Sequence, residues 1–311
     1  EQLARLTQFL HDNGRVTERL FLSLLTAFVD DGRRMDARLL VADRRRRFGL
    51  EGESAAVDEL LLKAECRAGD RAGAERVFEH IRRQGRRRSL RCYGLLLSLL
   101  AKEGAGAAAE QLVAGMRADC LVPDRLAWNL LLQAHAAAAD TTAAEAALAR
   151  MREAGVATDK RTFRALVAAH VNAGDIPAAE RVLAAHLQET DGVAVAHLIR
   201  GLCLAGREEE AEKAVLALAS DGSETAVARL DAAAAALLAH GYVPAKRGRR
   251  AAALVLEKLP AARVPPSDRL FDLAQEACAA AGESKRRREL IARRRLLKKR
   301  EEEKQARRSR K

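Results

Sequence analysis

The sequence is poor in proline, aromatic residues and long apolar runs, and each shortage excludes a class of structure. Only 6 of 311 residues are Pro and 3% are aromatic, whereas 49% are hydrophobic, with Ala and Leu prominent among them. Ala and Leu favour helices, and no segment shows the alternation typical of strands. No apolar run reaches the roughly 18 residues that a membrane-spanning helix needs. The composition therefore predicts an all-α fold without a membrane partner.

The cysteines also lack the spacing of a functional set. Their number is odd, and no Cys-x-x-Cys or Cys/His pattern suggests a metal site or a disulfide framework. They are Cys66, Cys92, Cys120, Cys203 and Cys278. Because free cysteine is readily buried, we expect them to be reduced and mostly packed within helices. We expect no metal, cofactor or small-molecule substrate.

One dipeptide, Ala-Glu, recurs every 35 residues. It occurs at Ala74-Glu75, Ala109-Glu110, Ala144-Glu145 and Ala179-Glu180. The same step separates a set of glycines, with one alanine in place of a glycine: Gly69, Gly104, Ala139 and Gly174. A fixed period of this length indicates stacked copies of one small unit. Such an array presents a long surface rather than a single catalytic pocket.

Each copy is predicted to form a helix, a Gly-containing turn, a second helix and a polar loop. The sequence divides into about eight such units, near residues 18–54, 55–89, 90–124, 125–159, 160–191, 192–226, 227–267 and 268–284. A basic helical tail is expected at 285–311. Residues 1–17 are predicted to be the second half of a preceding unit, so we expect the natural start, with any transit peptide, to lie upstream.

This pattern resembles the pentatricopeptide repeat family, in particular its P-type organellar members. The resemblance covers about residues 1–285 and rests on four motifs: Val122-Pro123-Asp124, Trp128-Asn129, Met151–Asp159 and Gly201–Arg207. It implies an α-solenoid of helix-turn-helix repeats, wound as a right-handed superhelix. A tetratricopeptide array is the alternative, with a period of about 34 residues and a different signature in its first helix.

Five of the ten aromatic residues share the fourth position of a unit. They are Phe21, Tyr93, Trp128, Phe163 and Phe271. Aromatic side chains can stack on RNA bases, but recurrence within apolar stripes favours packing between helices. His135 and His170 also share one position, and we interpret them as structural rather than as an acid/base pair.

The positive charge is concentrated at one end of the chain. Residues 285–311 hold 15 Lys and Arg against 4 Glu, which accounts for +11 of the formal +12. A cationic helix of this density suits RNA phosphates, and a solvated capping helix is the alternative. Its phosphate-binding candidates are Arg286, Arg287, Arg288, Arg293, Arg294, Arg295, Lys298, Lys299 and Arg300. Smaller clusters at 44–47, 82–88 and 246–250 are predicted to be solvated or to dock on ribosomal RNA or protein.

The resemblance implies that the repeats bind single-stranded RNA, with about one nucleotide per unit. In the family the fifth and last residues of a unit read the base, and a residue near its start helps to sandwich it. The corresponding pairs here are Leu22/Ser54, Glu59/Ser89, Gly94/Asp124, Asn129/Asp159, Arg164/Asp191 and Ala196/Ala226.

Among these pairs, only Asn129/Asp159 matches a family combination, one that favours a pyrimidine, uracil first. Leu126 and Arg161 would flank that base, and Gly94/Asp124 is half a match. Two cations one period apart, Arg67 and Lys102, are candidates for phosphate contacts, with helix-end carbonyls as their alternative partners.

The sequence therefore favours a non-catalytic RNA-binding protein of a mitochondrion or chloroplast. It would act in splicing, stabilisation or translation with low sequence specificity. The alternative is a structural subunit of an organellar ribosome, docked on ribosomal RNA and proteins through its basic surfaces. Residues 217–311 show no deaminase or metallonuclease motif, so we expect no enzyme.

Overall fold

A computed structural model describes residues 18–48, 54–186, 192–207, 209–211, 213, 247–259 and 268–308. Every element within these ranges is helical, which confirms the all-α prediction. In chain order the helices are α1 (Glu18–Asp30), α2 (Arg34–Phe48), α3 (Ala55–Ala68), α4 (Arg71–Arg83), α5 (Leu90–Glu103), α6 (Gly106–Ala118), α7 (Arg125–Ala137), α8 (Thr141–Glu153), α9 (Lys160–Asn172), α10 (Ile176–Ala185), α11 (Gly192–Leu204), α12 (Gly248–Ala253), α13 (Asp268–Ala280) and α14 (Ser284–Arg308). A π-helical turn, Leu254–Lys258, follows α12 directly.

Three sequence predictions fall partly or wholly outside this description. The half-unit expected at 1–17 lies outside it, as do residues 214–246, which include the second half of the unit at 192–226. Of the unit expected at 227–267, residues 247–259 are described.

The chain divides into two compact units. The first comprises residues 1–138 and 146–156, and the second comprises 139–145 and 157–311. In the first unit α1 packs on α3, α3 on α5 and α5 on α7. In the second unit α9 packs on both α10 and α11, and α13 packs on both α12 and α14. Each unit has its own apolar core, because one face of every helix pair is buried by the next pair.

The 35-residue period is visible in where the helices start. The helices α3, α5, α7 and α9 begin at residues 55, 90, 125 and 160. The turn after each of them contains a residue in the left-handed conformation, with φ of 71° at Gly69, 69° at Gly104, 57° at Ala139 and 81° at Gly174. Glycine adopts this conformation without a steric penalty, whereas alanine loses about 1–2 kcal/mol. Ala139 therefore keeps the geometry of the turn but not its ease.

An aspartate follows three of these turns and caps the next helix. The carboxylates of Asp70, Asp140 and Asp175 accept hydrogen bonds from backbone N–H groups three residues on, at 2.8, 2.9 and 3.0 Å. Such a cap satisfies one of the free N–H groups at a helix start. Ala105 occupies the equivalent position before α6 and provides no side-chain cap.

The recurring Ala-Glu dipeptide connects neighbouring repeats. The alanines are fully buried where helices approach closely: Ala74, Ala109, Ala144 and Ala179. Three of the glutamates reach a cationic or imidazole partner in the following repeat. Glu110 lies 3.0 Å from His135, Glu145 lies 3.3 Å from His170, and Glu180 lies 3.7 Å from Arg207. Because both halves of the dipeptide serve packing, its repetition reports architecture rather than ligand binding.

The structure confirms that the repeated aromatic residues are core residues. All five at the fourth position are buried: Phe21, Tyr93, Trp128, Phe163 and Phe271. His135 and His170 are also buried, and each lies beside a glutamate of its own compact unit. The five cysteines are free, with three of them buried. Burial raises the pKa of the Cys66 thiol to about 12, which disfavours the reactive thiolate.

The basic C-terminal segment is the second helix of the last pair rather than a free tail. The helix α14 begins at Ser284, so the boundary expected at 284/285 falls in its first turn. Leu290 is fully buried in the same apolar cluster as Phe271 and Ala274 of α13. Arg294 donates hydrogen bonds to Asp268 at 2.6 Å and to Asp272 at 2.5 Å. The helix is therefore held by one apolar residue and a cross-helix ion pair.

Candidate nucleic-acid interface

In the first compact unit, the side chains of one proposed base-reading pair contact each other. The Ser89 hydroxyl donates a hydrogen bond of 2.6 Å to Glu59 Oε1. Ser89 is the N-cap of α5, where its hydroxyl also accepts from the backbone N–H of Cys92. Arg91 lies 3.7 Å from the other Glu59 oxygen and is 66% exposed. The fold therefore brings the fifth and last positions of a unit together at one surface patch.

Arg91 was not singled out from the sequence, although a signal was present. It precedes Leu126 by 35 residues and Arg161 by 70, so it occupies the position that the resemblance assigns to the flanking residue. Its ion pair with Glu59 could not be foreseen from that position alone. The pair leaves a partly neutralised patch, in which the Glu59 carboxylate already has two partners.

The Gly94/Asp124 pair offers space but no reading side chain. A Cβ atom at Gly94 would meet only Leu126, at 3.9 Å, so the surface is open there. Leu126 is 48% exposed and offers an apolar face beside this gap. The Asp124 carboxylate caps α7 by accepting from the Ala127 N–H at 2.8 Å. This site can accommodate a base but has little with which to distinguish it.

The Asn129/Asp159 pair is divided between the two compact units. In the first unit Asn129 is only 2% exposed on α7. In the second unit Asp159 forms a capping box with Thr162 and accepts from the backbone N–H groups of Arg161 and Thr162 at 2.9 and 3.1 Å. The Arg161 side chain is exposed. A base could contact Asn129 only after neighbouring side chains moved.

The two generic phosphate candidates differ in their surroundings. Arg67 lies 2.9 Å from Asp30, which Lys63 also contacts at 2.8 Å. Hydrogen bonding to Lys63 and the charges of Lys63 and Arg67 lower the pKa of Asp30, so this carboxylate stays ionised. Lys102 is exposed and forms no ion pair within the described part of the chain. Of the two, Lys102 has the freer ammonium group.

The cations of α14 fall into two sets. Three of them contact carboxylates: Arg294 pairs with Asp268 and Asp272, Arg286 with Glu289 at 3.0 Å, and Lys298 with Asp268 at 3.5 Å. Hydrogen bonding from Arg294 lowers the pKa of Asp268, which keeps this pair charged. The second set is exposed and has no ion pair among the residues described: Lys285, Arg287, Arg288, Arg293, Arg295 and Lys299. The side chain of Arg300 lies outside the described residues.

The smaller basic clusters of the repeats serve mainly to join helices. Arg86 lies 2.7 Å from buried Asp58. Arg88 forms two hydrogen bonds with Asp119, at 2.7 and 2.8 Å, and its guanidinium lies 4.7 Å from the centre of the Phe78 ring. Arg44 lies 4.2 Å from the centre of the Phe21 ring. Arginine over an aromatic face is a stabilising arrangement, so these residues are not available as docking cations.

Chemistry beyond binding finds no support in the described ranges. Within them no group of three or more His, Cys, Asp or Glu side chains could hold a metal ion. None of the helices described there is both long and apolar enough to cross a membrane. The observed features are those of a surface: exposed cations, open patches and short apolar stretches.

No family model and no curated protein matches the sequence. Solved structures do match the fold. Maize PPR10, described as a pentatricopeptide repeat protein, superimposes with a TM-score of 0.50 at 18% identity, over 97% of this chain and 47% of that one. The fold is that of a pentatricopeptide repeat protein.

A second structure with this fold is the nuclear proteinaceous RNase P 2 (PRORP2) of A. thaliana. It matches with a TM-score of 0.50 at 16% identity, over 60% of this chain and 42% of that one. Maize PPR10 has also been solved in complex with an 18-nt psaJ RNA element, and that structure matches with a TM-score of 0.49 at 19% identity, over 92% of this chain and 46% of that one. The present chain thus spans about half the length of the pentatricopeptide repeat proteins it matches.

Proposed function

We propose that this chain is a non-catalytic RNA-binding repeat protein of organellar RNA metabolism, acting in splicing, stabilisation or translation with low sequence specificity. The contact between Glu59 and Ser89 is the observation that carries the proposal. It supports both parts, because it brings two reading positions to one surface and leaves their polar groups already bonded to each other. The maize protein of the same fold binds an 18-nt RNA, which agrees with RNA as the ligand class.

Low specificity is supported at each candidate reading position described above. Glu59 and Ser89 bond to each other, Gly94 has no side chain, and Asn129 is buried. Bases are discriminated by side-chain hydrogen bonds to their edges, at about 1–3 kcal/mol for a good bidentate pair in duplex DNA. Few free groups remain for such bonds. Exposed cations, in contrast, bind phosphates irrespective of sequence.

The test is equilibrium binding of uridine-rich and adenosine-rich single-stranded RNA over a range of salt concentrations. We expect the two affinities to differ by less than about tenfold, because a good base contact contributes about 1–3 kcal/mol. We also expect both to fall steeply with salt. A protein that binds neither RNA at 50 mM salt would refute the proposal.

Asn129→Ala addresses the uracil preference that the resemblance assigns to Asn129/Asp159, which stays a prediction. Because Asn129 is 2% exposed, we expect the variant to change binding of the two RNAs equally. A loss confined to uridine-rich RNA would show that this pair reads a base and would contradict low specificity.

A structural subunit of a mitochondrial or chloroplast ribosome is the second candidate. The exposed, unpaired cations of α14 favour it, since they suit a large phosphate surface. Sedimentation of organelle extract separates the two functions. A permanent subunit stays with the particle after a wash in high salt, whereas a free factor is released. Crosslinking in the same extract identifies the RNA and shows whether ribosomal RNA dominates.

A further inference from the structure

The exposed cations of α14 include a straight row on the side of the helix that faces away from α13. Lys285, Arg288, Arg295 and Lys299 are exposed, and they lie opposite the buried Leu290. With 3.6 residues per turn, the four positions fall within an arc of about 80° around the helix axis. At 1.5 Å per residue, the row extends over about 21 Å. We call these four residues the α14 ridge.

The ridge is held in place by the other side of the same helix. Leu290 is packed in the core of the second compact unit, and Arg294 is bonded to Asp268 and Asp272. None of the four ridge cations has an ion pair among the described residues. Their charges are therefore compensated only by solvent ions, and their backbone positions are fixed before a ligand binds.

The chemistry of the ridge matches phosphate and not unpaired bases. Sequence-tolerant binding of single strands relies on aromatic side chains on which bases stack. The helix α14 contains no aromatic residue, and Phe271 of α13 is buried. Glu302 and Glu303 are exposed beyond the C-terminal end of the ridge and would repel phosphate there. The favourable surface is therefore limited to residues 285–299.

Among nucleic acids, a duplex suits such a surface better than a single strand. A rigid duplex presents its phosphates in fixed positions and at higher density, so one straight row of cations can meet several of them at once. A single strand would have to be ordered along the row, and no base stacking would offset that loss of freedom. Double-stranded RNA is recognised mainly through shape, phosphates and 2′-hydroxyls, for which no base-reading side chain is needed.

We propose that the α14 ridge is a binding site for base-paired RNA, distinct from the single-stranded RNA surface proposed for the repeats. The proposal rests on the proposed function only in that the ligand is RNA. A protein with both surfaces would hold an unpaired segment on its repeats and a neighbouring stem on the ridge.

The test compares two variants that lower the net charge equally. The ridge variant carries Lys285→Gln, Arg288→Gln, Arg295→Gln and Lys299→Gln. The control variant replaces four exposed arginines of second helices that have no ion pair among the described residues: Arg83→Gln, Arg117→Gln, Arg152→Gln and Arg181→Gln. Each protein is titrated with a blunt RNA duplex and with a single-stranded RNA of equal phosphate number. Circular dichroism and thermal melting check that both variants fold as the wild type does.

We expect the ridge variant to bind the duplex at least about tenfold more weakly at 0.1 M salt. The slope of log K against log salt should become shallower by about 3 to 4, because up to four phosphate contacts are lost. Its single-strand affinity should fall by less than about threefold, and the control variant should keep wild-type duplex affinity.

Two results would overturn the proposal. One is equal duplex binding by the ridge and control variants, which would reduce the ridge to a non-specific contribution to net charge. The other is a greater loss on single-stranded RNA than on duplex. Either leaves the proposed function intact if wild-type protein still binds single-stranded RNA. Wild-type protein that binds neither RNA would contradict both proposals.

Discussion

Replacing Asp119 with Asn tests whether the arginines between repeats are structural. The Asp119 carboxylate accepts two hydrogen bonds from Arg88 and a third, of 2.7 Å, from the Tyr93 hydroxyl. The Arg88 side chain is 10% exposed and that of Asp119 27%. Burial and the bond to Asp119 raise the pKa of Tyr93, so its hydroxyl remains a donor. One carboxylate thus joins the end of α6 to α5 and to the loop before it.

The expected loss follows from what Asn can and cannot replace. Breaking a buried ion pair costs about 3–5 kcal/mol, and a hydrogen bond to a charged group contributes about 1.5–3 kcal/mol. Because Asp119 is partly exposed and Asn retains one acceptor oxygen, we expect a loss of about 2–3 kcal/mol in the free energy of unfolding. Glu79, 3.8 Å from Arg88, is too distant to take over as a hydrogen-bond partner.

The measurement is urea unfolding followed by circular dichroism and by fluorescence of Trp128, which is the single Trp and is buried in the same compact unit. Glu75→Gln is the control, because its ion pair with Arg71 is exposed on one helix and contributes about 0.3–0.5 kcal/mol. Equal losses in the two variants would refute the reasoning.

The pH dependence gives a second check on Asp119. Hydrogen bonds from Arg88 and Tyr93 lower the pKa of Asp119 in the folded protein. Its contribution to stability is therefore complete above the unfolded pKa of about 3.9 and is lost as pH falls through the folded value. The destabilisation by Asp119→Asn should be constant from pH 8 to pH 5 and should shrink below about pH 4. A difference that grows on acidification would contradict this assignment.

Two further substitutions test close packing. Gly73→Ala should destabilise by about 1–3 kcal/mol, because the new Cβ would lie 2.5 Å from the buried carboxylate of Glu65, whereas Gly115→Ala, with no neighbour closer than 3.7 Å, should stabilise its helix by up to about 1 kcal/mol; urea unfolding of both variants measures the signs. Leu290→Ala should lower the stability of the second compact unit by about 2–5 kcal/mol and Leu296→Ala, 56% exposed, by less than about 0.5 kcal/mol; equal effects would mean that α14 is a free tail.

The sequence allows the fold to be predicted because packing positions repeat. Tyr93, Trp128 and Phe163 are buried at one point of the period, and Ala139 takes the left-handed conformation where a glycine is missing. Each of these features depends on the local helix-turn-helix geometry, which a fixed period reproduces. The helical, repetitive character of the chain could therefore be predicted from spacing alone.

The candidate interface could be predicted less fully, because it depends on contacts between residues distant in sequence. The pairing of Arg88 with Asp119 spans 31 residues, and that of Arg294 with Asp268 spans 26. Both pairs were hidden within what looked like solvated basic clusters. The burial of Asn129 is a further example, since its register position suggests exposure but its neighbours cover it. The reach and competition of side chains, not the backbone period, determine which cations and amides remain available.

The distribution of satisfied and unsatisfied polar groups favours phosphate contacts over base reading. To engage a base, Glu59 would have to exchange its bond from Ser89, and Asp159 would have to loosen its capping box. Such exchanges cost about 0.5–1.5 kcal/mol for a hydrogen bond and about 0.5–2 kcal/mol for a helix cap. These losses are similar in size to the 1–3 kcal/mol that a good base contact provides in duplex DNA. The cations of the α14 ridge have no such bonds to lose, and each phosphate they meet also releases counterions. Selectivity is thus nearly cancelled where the resemblance places it, whereas affinity that does not depend on sequence is opposed by little.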